Sequence, residues 1–261
     1  MKNLKEAPHD RITIACFTYM VRAMELRRFN GFFFGIIEST QKLTENLTLD
    51  GKAEFERIAA DYQKKNGGIL PGRHFVNEIA LTRSIESFDL YLLQMLRLLF
   101  SAKPDLVIAE EKLIGEATKA SFEDTNDYFL HLAERKLMKL SYSSLSVLRE
   151  YVRESSEIDL FDTDEIFETI CLATELRNLI SHNDCRVNEI FLKRTKSIPA
   201  TPKLELGERF AISDAFLRNL ISAADHAVFT YDERAAAQLG LLTMNRFTSF
   251  FLRGDFATST V

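Results

Sequence analysis

The sequence predicts an almost entirely α-helical protein, and three observations carry that prediction. Gly and Pro number only 10 and 5 in 261 residues, 46% of residues are apolar against 27% charged, and apolar side chains recur at helical spacing over long stretches. So few breakers favour long helices over turn-dense β architecture. The length suits one large domain, or one domain with a substantial extension. Breakers decide for the second, because Asn66-Gly67-Gly68 with Pro71-Gly72 is their densest cluster. An N-terminal helical extension is therefore expected over 1–74, a helical bundle over 75–232, and a C-terminal helix and tail over 233–261.

Residues 10–48 predict one long helix, or two jointed near Asn30-Gly31. Asp50-Gly51 reads as a turn before a shorter amphipathic helix that runs to about Lys65. Over 75–100, Phe75, Ile79, Leu81, Ile85, Phe88, Leu92, Met95, Leu96 and Leu99 keep helical spacing until Lys103-Pro104 ends it. Helices over 106–120 and 127–153 follow, the second with Leu130, Leu137, Leu140, Leu145 and Leu148 as its apolar side. Phe161-Asp162-Thr163-Asp164 is a loop entering a helix over 164–182, capped by Thr163 or Asp164. The acids between 154 and 168 complement the positive end of that helix better than they make a metal site. Beyond Asn183-Asp184 comes a basic loop, and alternation around Gly207 predicts a small β-hairpin near 203–212. Ser213 or Asp214 then caps a helix from 214 to about 231, and a last helical segment covers 233–252. Arg-Asn-Leu-Ile-Ser occurs at 177 and again at 218, but the flanks do not match and no repeat is inferred.

Several function classes are disfavoured at once. A net charge of -5 does not suit a protein that coats nucleic acid through an overall positive field, so any RNA contact must be local. Cys16, Cys171 and Cys185 make neither a disulfide framework nor a zinc pattern, which fits a reducing cytoplasm. No apolar run is long enough to span a membrane, and no secretory leader is recognisable, so no membrane role is expected. The five histidines show no H-x3-H pairing, and neither a P-loop, a dinucleotide fingerprint nor a nucleophile elbow is present. No cofactor and no metal are expected.

The informative segment is Arg177-Asn178-Leu179-Ile180-Ser181-His182. On a helical wheel Ile166, Ile170, Ala173, Leu176 and Ile180 share one broad stripe, and Arg177 falls near its middle, about 20° from Ile166. A guanidinium aimed at a core is costly unless paired or facing a wet groove. Glu86 or Asp89 on the long helix is the candidate acidic partner. His182 lies five residues on, about 140° away on an unbroken helix, so the two side chains diverge. They can work together if the helix ends before His182, or if the site combines two copies of the chain.

Arg-Asn opening the segment, His-Asn closing it, its place on the last turns of a helix, and the continuation 186–193 together resemble the HEPN superfamily, over about residues 75–230. The resemblance implies a bundle of four or more helices, commonly dimeric, with two copies of a motif, an Arg, a polar residue and a His four to six from the Arg, meeting in a cleft. Many such proteins cut RNA without metal, several in defence or toxin–antitoxin systems where a protein inhibitor is a partner. Carried over to this chain, His182 is the acid/base, Arg177 the phosphate clamp and Asn178 an orienting group, and the product is a 2′,3′-cyclic phosphate. These residue types suit that reaction, since imidazole titrates near neutrality and Arg holds phosphate bidentately. Arg186, Lys193, Arg194 and Lys196 form a basic stretch suited to an RNA backbone. The other reading is a catalytically silent module of this type that dimerises or binds a partner protein or nucleotide.

Overall fold

The computed structural model describes residues 11–66, 73–108 and 124–245. These residues are mostly helical: α1 Ile14–Glu45, α2 Leu49–Asn66, α3 Arg73–Ala102, α4 Asp105–Ile108, α5 Thr125–Ser141, α6 Leu145–Ser156, α7 Asp164–Asn183, α8 Glu189–Thr195 and α9 Asp214–Leu239. Two short strands, β1 Arg11–Ile12 and β2 Met244–Asn245, pair antiparallel, and Arg11 adds a side-chain hydrogen bond to Thr243. The contacts divide the chain into two compact units. One takes in the described parts of Met1–Val21, Glu86–Cys171 and Ser222–Val261, the other Arg22–Ile85 and Leu172–Ile221. That division falls inside helices, whereas the cluster of breakers at 67–72 lies outside the described residues.

The first unit is built on large buried side chains, Phe88, Tyr91, Leu99, Phe100, Leu160, Phe161 and Tyr231 among them. Its polar centre is the start of α1. The Thr13 N–H and hydroxyl both donate to the Asp232 carboxylate, and the Thr13 hydroxyl in turn accepts from the N–H of Cys16. Thr13 therefore caps α1 while Asp232, from the other end of the chain, holds the cap. Burial pushes the Asp232 carboxyl up to about 6, and the two Thr13 hydrogen bonds only partly oppose this.

Three of the acids of 154–168, Asp159, Asp162 and Asp164, find basic partners elsewhere in this unit. Arg149 grips Asp159 through Nε and Nη2, each at 2.9 Å, reaches Asp164 at 3.0 Å, and stacks over the Phe167 ring at 4.7 Å. Burial raises the Asp159 carboxyl, but the Arg149 and Phe161 hydrogen bonds outweigh it and the net shift is downward. Asp162 binds Arg234 at 2.6 Å and His226 at 2.9 Å. Arg149→Met keeps the stem and removes the fork, so it is expected to lower stability by about 2–3 kcal/mol. Urea unfolding at neutral pH measures it, and a loss below about 0.5 kcal/mol would show the fork to be idle.

Several elements depart from expectation. Asp50-Gly51 is not a turn but the first turn of α2, where the Gly51 N–H donates to the Thr48 hydroxyl. The helix expected over 127–153 is interrupted at Tyr142-Ser143-Ser144, because the Ser144 hydroxyl accepts from the N–H of Val147 and starts a new helix. α9 runs on through 232 and 233 to Leu239, so 233–239 do not start a separate helix. Gly240, at φ 62°, stops it in the left-handed conformation open to glycine. The joint near Asn30-Gly31 is absent, and α1 is continuous. Of the helix expected over 106–120, 105–108 are helical and 109–123 lie outside the described residues, as does 246–252 of the last expected segment.

Candidate active site

α7 begins as its sequence dictates, with the Thr163 hydroxyl accepting from the N–H of Ile166 and Asp164 and Glu165 in the first turn. Thr169, Ile170, Leu172, Ala173, Leu176 and Leu179 are buried, which sets the core-facing arc. Arg177 lies at the flank of that arc and is half-buried, with its Nε shut away from solvent. Glu86 and Asp89 are both half-buried on α3. His182 and Ser181 are exposed on the last turn.

The helix is unbroken through Asn183, so the angular separation of about 140° between Arg177 and His182 stands. One of the two routes to a working site is thereby closed: α7 does not end early enough to swing the imidazole round. A single chain presents Arg177 and His182 on different faces, and their union needs a second copy.

The end of α7 is a tight left-handed turn. Asp184 and Cys185 adopt φ of 49° and 57°, the Cys185 N–H reaches back to the carbonyl of Leu179 at 3.2 Å, and the Asn183 side chain donates to the carbonyl of Arg186. The chain then pairs with 207–210: Val187 donates to Glu208, Gly207 to Val187 and Phe210 to Cys185, all at 2.8–2.9 Å. The hairpin expected near 203–212 is therefore absent. The alternating residues are real, but their partner is 185–187, bridged at Arg186 and Arg209. Leu176, Leu179, Ile180, Cys185, Phe210 and Ile212 line the apolar seam this creates. Burial, followed by a hydrogen bond to Glu78, pushes the Cys185 thiol up to about 12, which leaves it without nucleophilic character at neutral pH.

The basic stretch is only partly a loop: Lys193 and Arg194 lie on α8, Arg186 and Lys196 outside it. The Asn188 side chain accepts from the N–H of Phe191 at 2.8 Å, Glu189 sits at the positive end of α8 and Lys193 and Arg194 at the negative end, and Phe191 and Thr195 anchor the helix by burial. Arg186, Lys193, Arg194 and Lys196 are all exposed. Two of the four are already occupied: Arg194 binds Glu175 at 3.4 Å, and Arg186 donates to the carbonyl of Gly207 at 3.4 Å. Glu175 also accepts from the Asn178 amide at 3.5 Å, so it ties the motif's own Asn to α8. Sequence reasoning missed Glu175, although its i,i+3 spacing to Asn178 was the available signal.

Among the described residues no group of three or more His, Cys, Asp or Glu side chains is placed to hold a metal ion, and no helix is long and apolar enough to cross a membrane. Comparison of the chain with protein-family models, with curated proteins and with solved structures finds no match.

Proposed function

We propose that this protein is a metal-independent endoribonuclease of HEPN type acting on single-stranded RNA, with a site assembled from two copies of the chain. The observation that supports this best is the position of His182, whose imidazole stands exposed at the end of the helix that carries Arg177 and Asn178. In the reaction, one imidazole takes the proton of a ribose 2′-OH. That oxygen attacks the adjacent phosphorus, the P–O5′ bond breaks, and an imidazolium returns a proton to the leaving 5′ oxygen. Arg177 stabilises charge developing on the phosphoryl oxygens. Exposed Lys193 and Lys196 offer further charge to the RNA backbone.

The decisive experiment uses purified full-length protein in EDTA with an unstructured RNA and the DNA of the same sequence. RNA is expected to be cut to 2′,3′-cyclic phosphate ends and DNA left intact, because the nucleophile is the 2′-OH. RNA that stays intact with and without added divalent metal favours the second reading, a silent module that binds a partner protein or nucleotide. That reading draws on the Glu175 contacts, which engage Asn178 and Arg194 within the chain itself.

A further inference from the structure

The polar residues of α7 fall on two sides of its buried arc. Asn178 follows Glu175 by three residues and His182 follows Asn178 by four, so the three lie in one row, within about 60° of one another. Arg177 stands about 160° from Glu175, beyond buried Leu179, Leu176 and Ala173. Within one chain, then, Arg177 is not the guanidinium on the side of His182. That place belongs to Arg194, which reaches over from α8 and sets its Nη1 3.4 Å from the Glu175 carboxylate. The Asn178 amide meets the same carboxylate oxygen at 3.5 Å.

The contact is loose for an ion pair. Arg and carboxylate commonly pair through two short bonds, as Arg149 does with Asp159 at 2.9 Å twice over. Arg194 uses Nη1 alone, and its side chain stays 57% exposed while that of Glu175 is 19% exposed. Glu175 is therefore a well-covered carboxylate held by two long contacts. The groups that hold it, a guanidinium fork and a primary amide, are those that bind a backbone phosphate. A phosphodiester resembles the carboxylate they hold, since each presents two oxygens sharing one negative charge. The pair also lies one helical turn before His182, about 6 Å along the axis of α7.

We infer that Arg194 and Asn178 form a subsite for a backbone phosphate of single-stranded RNA, filled in the free protein by the Glu175 carboxylate, which the strand displaces. This rests on the reading of the protein as a ribonuclease and deepens it: Arg194 supplies charge on the side of His182 from the same chain, while Arg177 comes from the second copy. Glu175 makes the subsite selective. It repels an isolated phosphate, whereas a strand that also meets exposed Lys193 and Lys196 gains enough to push it aside.

Fluorescence anisotropy with a labelled 2′-O-methyl oligonucleotide measures binding apart from cleavage, because the methyl group blocks the attacking oxygen. Glu175→Gln should bind it about tenfold more tightly than wild type and Arg194→Gln about tenfold less tightly, the order of one hydrogen bond to a charged group. Arg194→Gln should also flatten the slope of log affinity against log salt by about 0.7, the share of one phosphate contact on a single strand. On the Arg194→Gln background, Glu175→Gln should lose most of its effect. A Glu175 that only ties α7 to α8 predicts a lower melting temperature in both variants, with the salt slope unmoved. Unchanged or weaker binding by folded Glu175→Gln overturns the inference. So does an unchanged slope in Arg194→Gln, a test that stands alone if Glu175→Gln does not fold. Failure of wild type to bind at about 100 micromolar, the weak end of non-specific affinity, overturns it as well. Inorganic phosphate that binds as tightly as the oligonucleotide would make the pair a site for the free ion, with the same result. Binding as expected while unmodified RNA stays uncut would sink the ribonuclease reading and leave this one standing.

Discussion

His182→Ala is expected to reduce RNA cleavage by about 10²–10⁴-fold, the range that a positioned acid–base group contributes. The same change should leave the melting temperature within about 2 °C, because the imidazole is exposed on the last turn of α7 and packs no core. A gel assay beside thermal unfolding reads both quantities. Equal cleavage by wild type and variant would remove His182 from the reaction. Arg177→Ala is a less clean probe, since the buried Nε ties the side chain to the fold and its loss costs stability whatever its chemistry. For that reason His182 is the cleaner test of catalysis.

The second large effect lies at the start of α1. Asp232 is 1% exposed, and its carboxyl stands at about 6 against the ordinary 3.8. A folded value raised above the unfolded one means that the folded chain holds the proton more tightly. The contribution of Asp232 is therefore fully present below about pH 4 and is lost as pH rises through about 6. A shift of about two units corresponds to about 3 kcal/mol. Asp232→Asn cannot ionise, so the stability difference between wild type and variant should move by about 3 kcal/mol in the variant's favour between pH 4 and pH 8. Urea unfolding of both proteins across that range measures it. Taking the difference cancels the other carboxylates, including Asp159, whose net shift is downward and whose contribution runs the opposite way. A pH-independent difference would mean that Asp232 keeps its ordinary acidity in the fold.

Helices with strong periodicity and an unmistakable end were legible in the sequence. α3 is the clearest, since its apolar residues repeat without interruption and Lys103-Pro104 closes it. The start of α7 was legible to within one residue, Thr163 or Asp164, and Thr163 supplies the cap. Failures share one cause, which is that local pattern does not name a distant partner. Alternation at 203–212 was visible, but nothing in it says that 207–210 pair with 185–187 beyond a left-handed turn. The capping role of Ser144 was hidden beneath a leucine periodicity that runs straight through it. Asp232 looks like any acid on a helix until Thr13 is placed beside it. At the candidate site the helix and the divergence of Arg177 from His182 could be read from spacing alone. The grip of Glu175 on both Asn178 and Arg194 required knowing that 189–195 is a helix lying where Glu175 can reach it.

The clasp between Thr13 and Asp232 also has a consequence in time. Their hydrogen bond spans 219 residues, and a ribosome adding about 5–20 residues per second needs about 10–45 seconds to cover that distance. Throughout that interval α1 has emerged without the carboxylate that holds its cap, and the β1 strand has no β2 to pair with. α1 is thus made well before the residues that secure its start.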